Sequence, residues 1–419
     1  MHPNALLELA TDLLHQVLRF EAPADGIVSD FFRKHRALGQ RERHTLAETT
    51  YDVLRRRALY QHLAQSGKGE MERRLAILAW QGNEGFLRAA LNENEQRWLE
   101  QVKAVDRNAL PEKLRHNLPE WLAEPLHREL GDEFWPLVAS LNEPAALDLR
   151  VNSLKARRDD VQAALAKADI AATPTPYSPW GLRVQGKPAL NKLELFTRGD
   201  VEVQDEGSQL LALLTDAKRG EMVVDFCAGA GGKTLALGAA MRNTGRLYAF
   251  DTSGHRLAAL KPRLARSGLS NVYPVQIAHE RDDRIKRLAG KIDRVLVDAP
   301  CSGLGTLRRN PDMKWRQSPQ AIAELREKQA AILASAARLV KPGGRLVYAT
   351  CSLLEEEDEA IARAFTESHG RDFVPLNAAD ALAKAHVSEP QALVRDEFLR
   401  LWPHRHGTDG FFAGAWERR

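Results

Sequence analysis

The pattern of apolar and polar positions changes twice along the chain. Over the first ~140 residues apolar positions recur at helical intervals, as at Leu46, Val53, Leu54 and Leu59, with little of the alternation that a half-buried strand imposes. An all-helical region is the expectation there. Around Asn142 to Pro144 the texture shifts: "LDLRVNSLKA" reads as a strand, "RDDVQAALAKADI" as a capped helix and "GLRVQG" as another strand. From about Thr215 short apolar runs and helical stretches alternate strictly. Strands are predicted at 222–227, 246–251, 272–276, 292–298 and 344–351, with a long helix near 319–340. Such alternation implies an α/β, Rossmann-like parallel sheet, whose ligands lie beyond the carboxyl ends of the strands. Three regions result: helical, 1–140; small α/β, 141–214; Rossmann-like, 215–419.

Bulk properties narrow the class. A chain of 419 residues, 44% hydrophobic and 28% charged, reads as globular with room for two or three cores. The start, "MHPNALLELATDLLHQ", lacks the charged, apolar and cleavage regions of a leader, and no run approaches about 18 apolar residues. Neither export nor a membrane partner is expected, and the cytoplasm is the expected location. Three scattered cysteines suit neither a disulfide framework nor a spaced zinc site, so no metal is expected. The net charge of +4 is modest, but residues 31 to 74 hold eleven Lys and Arg against five acids. A solvated surface is the bland reading of that run; a basic helical face for phosphate backbones is the alternative.

The candidate chemistry starts at "VVDFCAGAGGKTLAL", residues 223 to 237. A phosphate loop needs glycine five positions before the glycine of its Gly-Lys-Thr, and Cys227 stands there instead. An apolar strand running through glycines into a helix fits a Rossmann-like turn better, with Gly229, Gly231 and Gly232 admitting a ligand close to the backbone. Asp251 closes the next strand, where a carboxylate accepts hydrogen bonds from ribose hydroxyls. A dinucleotide or S-adenosylmethionine is therefore favoured over a triphosphate. Cys301, in "DAPCSGLGTLRRNPDMKW", and Cys351, in "YATCS", each follow a strand on the same ligand-binding edge. A lone cysteine is most often a small buried hydrophobe. Two at matching positions suit nucleophilic addition to carbon 6 of a pyrimidine, which makes carbon 5 enamine-like, with Asp298 as the acid at ring nitrogen 3. Spacing leaves open which thiol attacks.

These motifs, with "DFCAGAGGKT", "LDLRVNSLK", "VQDEGSQL" and "TDGFFAGAW", resemble the Sun-family RNA cytosine-5 methyltransferases, specifically the bacterial 16S ribosomal RNA methyltransferase B group. The segment "DFFRKHRALGQRERHTLAETTYDVLRRR" resembles that group's NusB-like RNA-binding domain. The resemblance implies an S-adenosylmethionine-dependent enzyme forming 5-methylcytosine in RNA, with Cys351 as nucleophile and Cys301 assisting release. It implies cofactor contacts from the loop Cys227, Ala228, Gly229, Ala230, Gly231, Gly232 and Lys233, and from Asp251 and Asp298. It also implies an acid after the third strand, where Asp282 fits best and Glu280 is the alternative. The family commonly has proline where Ala230 stands. Lys233 is expected to touch substrate or the donor's carboxylate; Arg308, Arg309 and Lys314 are either solvated charges or contacts to the nucleotide backbone. The run Glu355 to Glu359 reads as the acidic first turn of a helix. The expected partner is RNA, ribosomal before transfer RNA, met by a monomer. A nucleotide hydrolase and a catalytically silent ribosome-assembly protein are the competing classes.

Overall fold

The structure is a computed structural model that describes residues 1–419, and it divides into two compact units. The first comprises Met1–Pro144 together with Leu307–Pro319. It is all helical, from Pro3–Val17 to Phe134–Leu141. Sequence dictates its element ends: Asn92 and Glu95 form a reciprocal capping box on the helix Glu93–Lys103, satisfying amides that helical bonding leaves over. One face of each helix feeds a shared core, in which Leu7, Leu13, Leu14, Leu46, Val53 and Leu54 are wholly buried.

The segment 307–319 completes this unit although it lies far along the chain. Trp315 packs on the helical core and its indole N–H donates to Leu54 O at 2.7 Å. Ala24 N–H donates to Asp312 Oδ2 at 3.2 Å, and an Arg55 guanidinium N–H to Arg308 O at 3.1 Å. Lys314 Nζ donates to Arg55 O at 2.8 Å and is buried; burial, with Arg55 and Arg56 beside it, pushes its ammonium down to about 7. Lys314 is thus interior to this unit, neither a solvated charge nor a contact to a nucleotide backbone.

The basic run needs a similar correction. Of its eleven cations only Arg33, Lys34, Arg36, Arg41 and Lys68 are exposed. Arg55 is buried, Arg57 lies over the rings of Phe20 and Trp315 at 4.9 and 5.2 Å, and Arg74 donates to Gly67 O. Interior carbonyls and aromatic faces take up much of the charge that a linear count assigns to a surface.

The second unit comprises Ala145–Thr306 and Gln320–Arg419. Strands β1 (Leu147–Val151), β2 (Ala172–Pro174), β3 (Gly181–Val184) and β4 (Val201–Val203) form a small antiparallel sheet in the order β2-β3-β1-β4, with the helix Arg158–Lys167 packed on it. The main sheet holds β5 (Met222–Asp225), β6 (Arg246–Asp251), β7 (Val272–Gln276), β8 (Ile292–Asp298) and β9 (Val340–Thr350) in parallel. It continues antiparallel through β10 (Phe373–Leu376), β11 (Val394–Arg395), β12 (Phe398–Leu401) and β13 (Phe411–Arg418). The order is β11-β12-β13-β9-β8-β5-β6-β7, with β10 on β13.

Central strands are apolar on both faces because helices cover both. Val223, Leu296 and Val347 face one core, with the helix Glu206–Thr215; Val224, Val295, Val297 and Tyr348 face the other, with the helices Pro319–Ala337 and Glu359–His369. Because β5 has β6 on one side and β8 on the other, successive crossovers leave it in opposite directions. That reversal opens the crevice at the strand tips where a ligand fits.

Candidate active site

At the tip of β5 the chain turns through Cys227 to Gly231 into the helix Gly232–Ala240. Gly229 and Gly231 have φ of +55° and +83°. A Cβ on Gly231 would come within 2.1 Å of Leu260, so glycine is required for this helix to seat on its neighbour. A Cβ on Gly229 would meet nothing within 4 Å, which leaves its face open to a ligand. Ala230 O accepts from Arg263 at 2.6 Å, and Ala228 N–H donates to Phe250 O at 2.8 Å. Asp251, at the tip of β6, accepts from Gly229 N–H at 2.8 Å and from Ser253 N–H at 2.7 Å, so it lies against the loop.

Asp225 is buried beneath the turn. Thr234 donates to one carboxylate oxygen at 2.7 Å while the other has no hydrogen-bond partner. Burial pushes this carboxyl up to about 7, Thr234 opposing and Asp298 reinforcing the shift. Burial, with the carboxylates of Asp225, Asp298 and Asp251, also drives the Cys227 thiol well up, which makes it a poor thiolate.

Cys301 and Cys351 leave the tips of the adjacent parallel strands β8 and β9, and their sulfurs lie 3.3 Å apart. Both cysteine residues are half-buried. Lys233, from the glycine loop, forms an ion pair with Asp298 at 2.7 Å, and its ammonium lies 5.7 Å from the centre of the Phe411 ring. Burial alone would depress the Lys233 ammonium, but Asp298, Cys351 and Asp225 more than offset it and raise it above the usual lysine range. A cation, a carboxylate and two sulfurs thus converge at three neighbouring strand tips.

The turns carrying these groups are locked together. Gly305 N–H donates to Cys351 O, and Gly410 N–H to Gly305 O, both at 2.8 Å. A Cβ on Gly305 would sit 2.0 Å from Gly410 O, so three backbone segments meet where only glycine fits. Asp409 N–H donates to Asp205 Oδ2 at 3.1 Å, which joins the "TDGFFAGAW" and "VQDEGSQL" motifs beside the site.

Two features escape a linear reading. The run Glu355 to Glu359 is mostly not the first turn of a helix: the helix starts at Glu359, and Glu357, Asp358 and Glu359 are buried. Glu357 instead accepts hydrogen bonds beneath both cysteine turns. Gln329, on the long helix Pro319–Ala337, donates to Glu357 at 2.9 Å and to Pro300 O at 3.0 Å. A buried acid within a charge-rich stretch was the only available signal, and local pattern pointed elsewhere. Asp282 stands apart from the thiols, capping the helix Asp283–Lys286 and accepting from Ala278 and Arg284 N–H groups, which hold its carboxyl below the usual range. Glu280 pairs with Arg281 at 3.5 Å.

Comparison with known proteins fits this geometry. Residues 212–417 match the family described as 16S rRNA methyltransferase RsmB/F, and residues 118–191 match its ferredoxin-like domain. A probable ribosomal RNA small subunit methyltransferase B of Synechocystis sp. is 36% identical over 320 residues, covering 76% of this chain and 70% of its own. The ribosomal RNA small subunit methyltransferase B of Sodalis glossinidius is 35% identical over 312 residues, covering 74% and 68%. The crystal structure of PH0851 is 26% identical, with a TM-score of 0.81 over 100% of this chain and 99% of that one. This chain belongs to the 16S rRNA methyltransferase RsmB/F family.

Proposed function

We propose that the chain is an S-adenosylmethionine-dependent enzyme that forms 5-methylcytosine in 16S ribosomal RNA through a covalent Cys351–cytosine intermediate. The observation that carries this reading is the pair of sulfurs 3.3 Å apart beside the Lys233–Asp298 ion pair. S-adenosylmethionine, when bound, supplies an electrophilic methyl group to carbon 5. The residues present fit it: an open face at Gly229, an acceptor at Asp251 and an unpartnered buried oxygen on Asp225. The holding residues are the loop Cys227 to Lys233, Asp251 and Asp298, with Asp282 or Glu280 as the further acid.

The steps at the pyrimidine follow from the side chains. Cys351, as thiolate, forms a bond to carbon 6, and the displaced electron pair is taken up by a proton that Asp298 delivers to ring nitrogen 3, Lys233 pairing with the carboxylate left behind. Carbon 5 is then nucleophilic and becomes methylated. Loss of its proton, for which Cys301 is the nearby group, re-forms the 5,6 double bond as the carbon–sulfur bond breaks. A transfer RNA cytosine is the second reading, resting on the same site. Bisulfite sequencing of total RNA from cells with and without the gene tests both: a single 16S cytosine losing protection supports the first, one in transfer RNA supports the second, and no such cytosine overturns both.

Two further outcomes are expected. Asp251→Ala should weaken S-adenosylmethionine binding by about 1–3 kcal/mol, because a charge-assisted acceptor is lost and the Gly229 and Ser253 amides lose their partner. Isothermal titration giving wild-type affinity would remove Asp251 from the cofactor site. For RNA capture, the exposed cations Lys34, Arg36 and Arg41 are the ones to replace. Each that neutralises a phosphate should, when changed to alanine, reduce the slope of log affinity against log salt by roughly 0.7–0.9. An unchanged slope in the triple variant means that this face is only solvated.

A further inference from the structure

Glu357 has no place in the chemistry above, yet it is wholly buried between the two cysteine turns. Ser302, the residue after Cys301, donates its backbone N–H to Glu357 Oε1 at 2.9 Å and its hydroxyl to Oε2 at 2.5 Å. Ser352, the residue after Cys351, donates its hydroxyl to the same Oε2 at 2.6 Å. Gln329 completes the set at Oε1. One carboxylate therefore receives four hydrogen bonds and spans both turns, while the serine hydroxyls stand 3.3 Å apart, the same spacing as the sulfurs they follow.

We propose that Glu357 is a positioning residue: it ties the Cys301 turn to the Cys351 turn, holds the two sulfurs in contact and disfavours a negative charge on Cys301. The inference rests on the two-thiol reading above and deepens it. The charges around the pair are asymmetric. Glu357 acts on Cys301, whereas Cys351 lies in the field of the Lys233 ammonium, itself paired with Asp298. A neighbouring anion disfavours a second one, and a cation favours it. In the same direction, the hydrogen bond with Cys351, then burial, then the charges of Cys351 and Glu357 drive the Cys301 thiol well up.

The order of events follows. Before attack the contact between the sulfurs lets one proton be shared between them. Once Cys351 is bonded to carbon 6 that sharing ends, the strongest restraint on Cys301 ionising is gone, and the Cys301 proton is released to solvent. Cys301 is then a thiolate able to accept the carbon 5 proton.

The test uses Glu357→Gln in the full chain, because glutamine retains the shape while removing the charge. Its carbonyl can accept from Ser302 N–H and Gln329, and its amide can donate to both hydroxyls. Alkylation by iodoacetamide is followed against pH, with Cys301 and Cys351 quantified separately by peptide mass spectrometry and the fold checked by circular dichroism. In the wild type the Cys301 midpoint should lie above the ordinary thiol range. In Glu357→Gln the Cys301 midpoint should fall by about one pH unit or more. A folded variant with an unmoved Cys301 midpoint overturns the proposal. So does a wild-type protein in which the Cys301 midpoint lies at or below the ordinary thiol range, an outcome readable even if the variant does not fold. Neither measurement uses RNA, so loss of the 5-methylcytosine reading and loss of this proposal are separable.

Discussion

Cys301→Ala is expected to accumulate a covalent protein–RNA adduct that survives denaturing electrophoresis, whereas Cys351→Ala and the double variant form none. If Cys351 makes the bond to carbon 6, its removal abolishes methyl transfer while cofactor affinity stays at the wild-type value, since none of the residues proposed to hold the cofactor is changed. Removing Cys301 stalls a later step. The methylated ring keeps its carbon 5 proton, the carbon–sulfur bond cannot break, and turnover falls by the factor general base catalysis contributes, about 10²–10⁴. The two sulfurs are near enough, at 3.3 Å, for either to reach the same ring edge, so proximity does not decide between them. An adduct trapped by Cys351→Ala and absent from Cys301→Ala would falsify the assignment and reverse the roles.

The second large effect is on stability. Arg400→Met should destabilise the second unit by about 3–5 kcal/mol, read from chemical denaturation. Arg400 is 2% exposed, forms a buried ion pair with Asp358, donates to Leu353 O at 3.0 Å and stacks on Trp402 at 4.3 Å. Methionine fills much of the volume but leaves Asp358 and Glu359 buried without a counter-charge. Burial already pushes the Asp358 carboxyl up, Arg400 pulling it back and Glu359 adding to the rise. Without the guanidinium it rises further. An acid whose folded-state pKa lies above its unfolded value costs stability as pH rises between the two. The variant's deficit should therefore be largest at alkaline pH and shrink toward pH 5. A deficit independent of pH would mean that lost packing alone is responsible. Leu353 is two residues from Cys351, so methyl transfer should fall as well.

Much of this was legible in the sequence, for definable reasons. The strands at 246–251 and 292–298 lie where the apolar runs place them, because helices cover both faces of a central strand; the strand at 272–276 is also where expected, although it is the sheet edge and exposes Tyr273 and Gln276. Glycines flag the turn after β5 since no other residue tolerates +83° at Gly231 against Leu260. The two cysteines were visible as strand-tip residues, though not their 3.3 Å separation, which depends on strand order. What stayed hidden depends on contacts distant in sequence. Glu357 reads as one acid among several until Ser302, 55 positions away, is seen to donate to it. Arg55 and Arg57 count as surface charge until Arg308 and Trp315 arrive to meet them. The antiparallel strands β10, β11 and β12 are only two to four residues long, so local periodicity gives them little weight.

The placement of residues 307 to 319 bears on how the protein is made. A ribosome releases the helices in order, and by Pro144 all of them have emerged, yet the surface that receives Trp315 is still bare. The nascent helical unit must wait until Pro319 has been synthesised. At about 5–20 residues per second that delay is on the order of ten seconds or more, with an apolar seat for an indole open to any passing chain. Folding of the amino-terminal unit is therefore post-dated: it is begun first and finished late, after most of the parallel sheet has been translated.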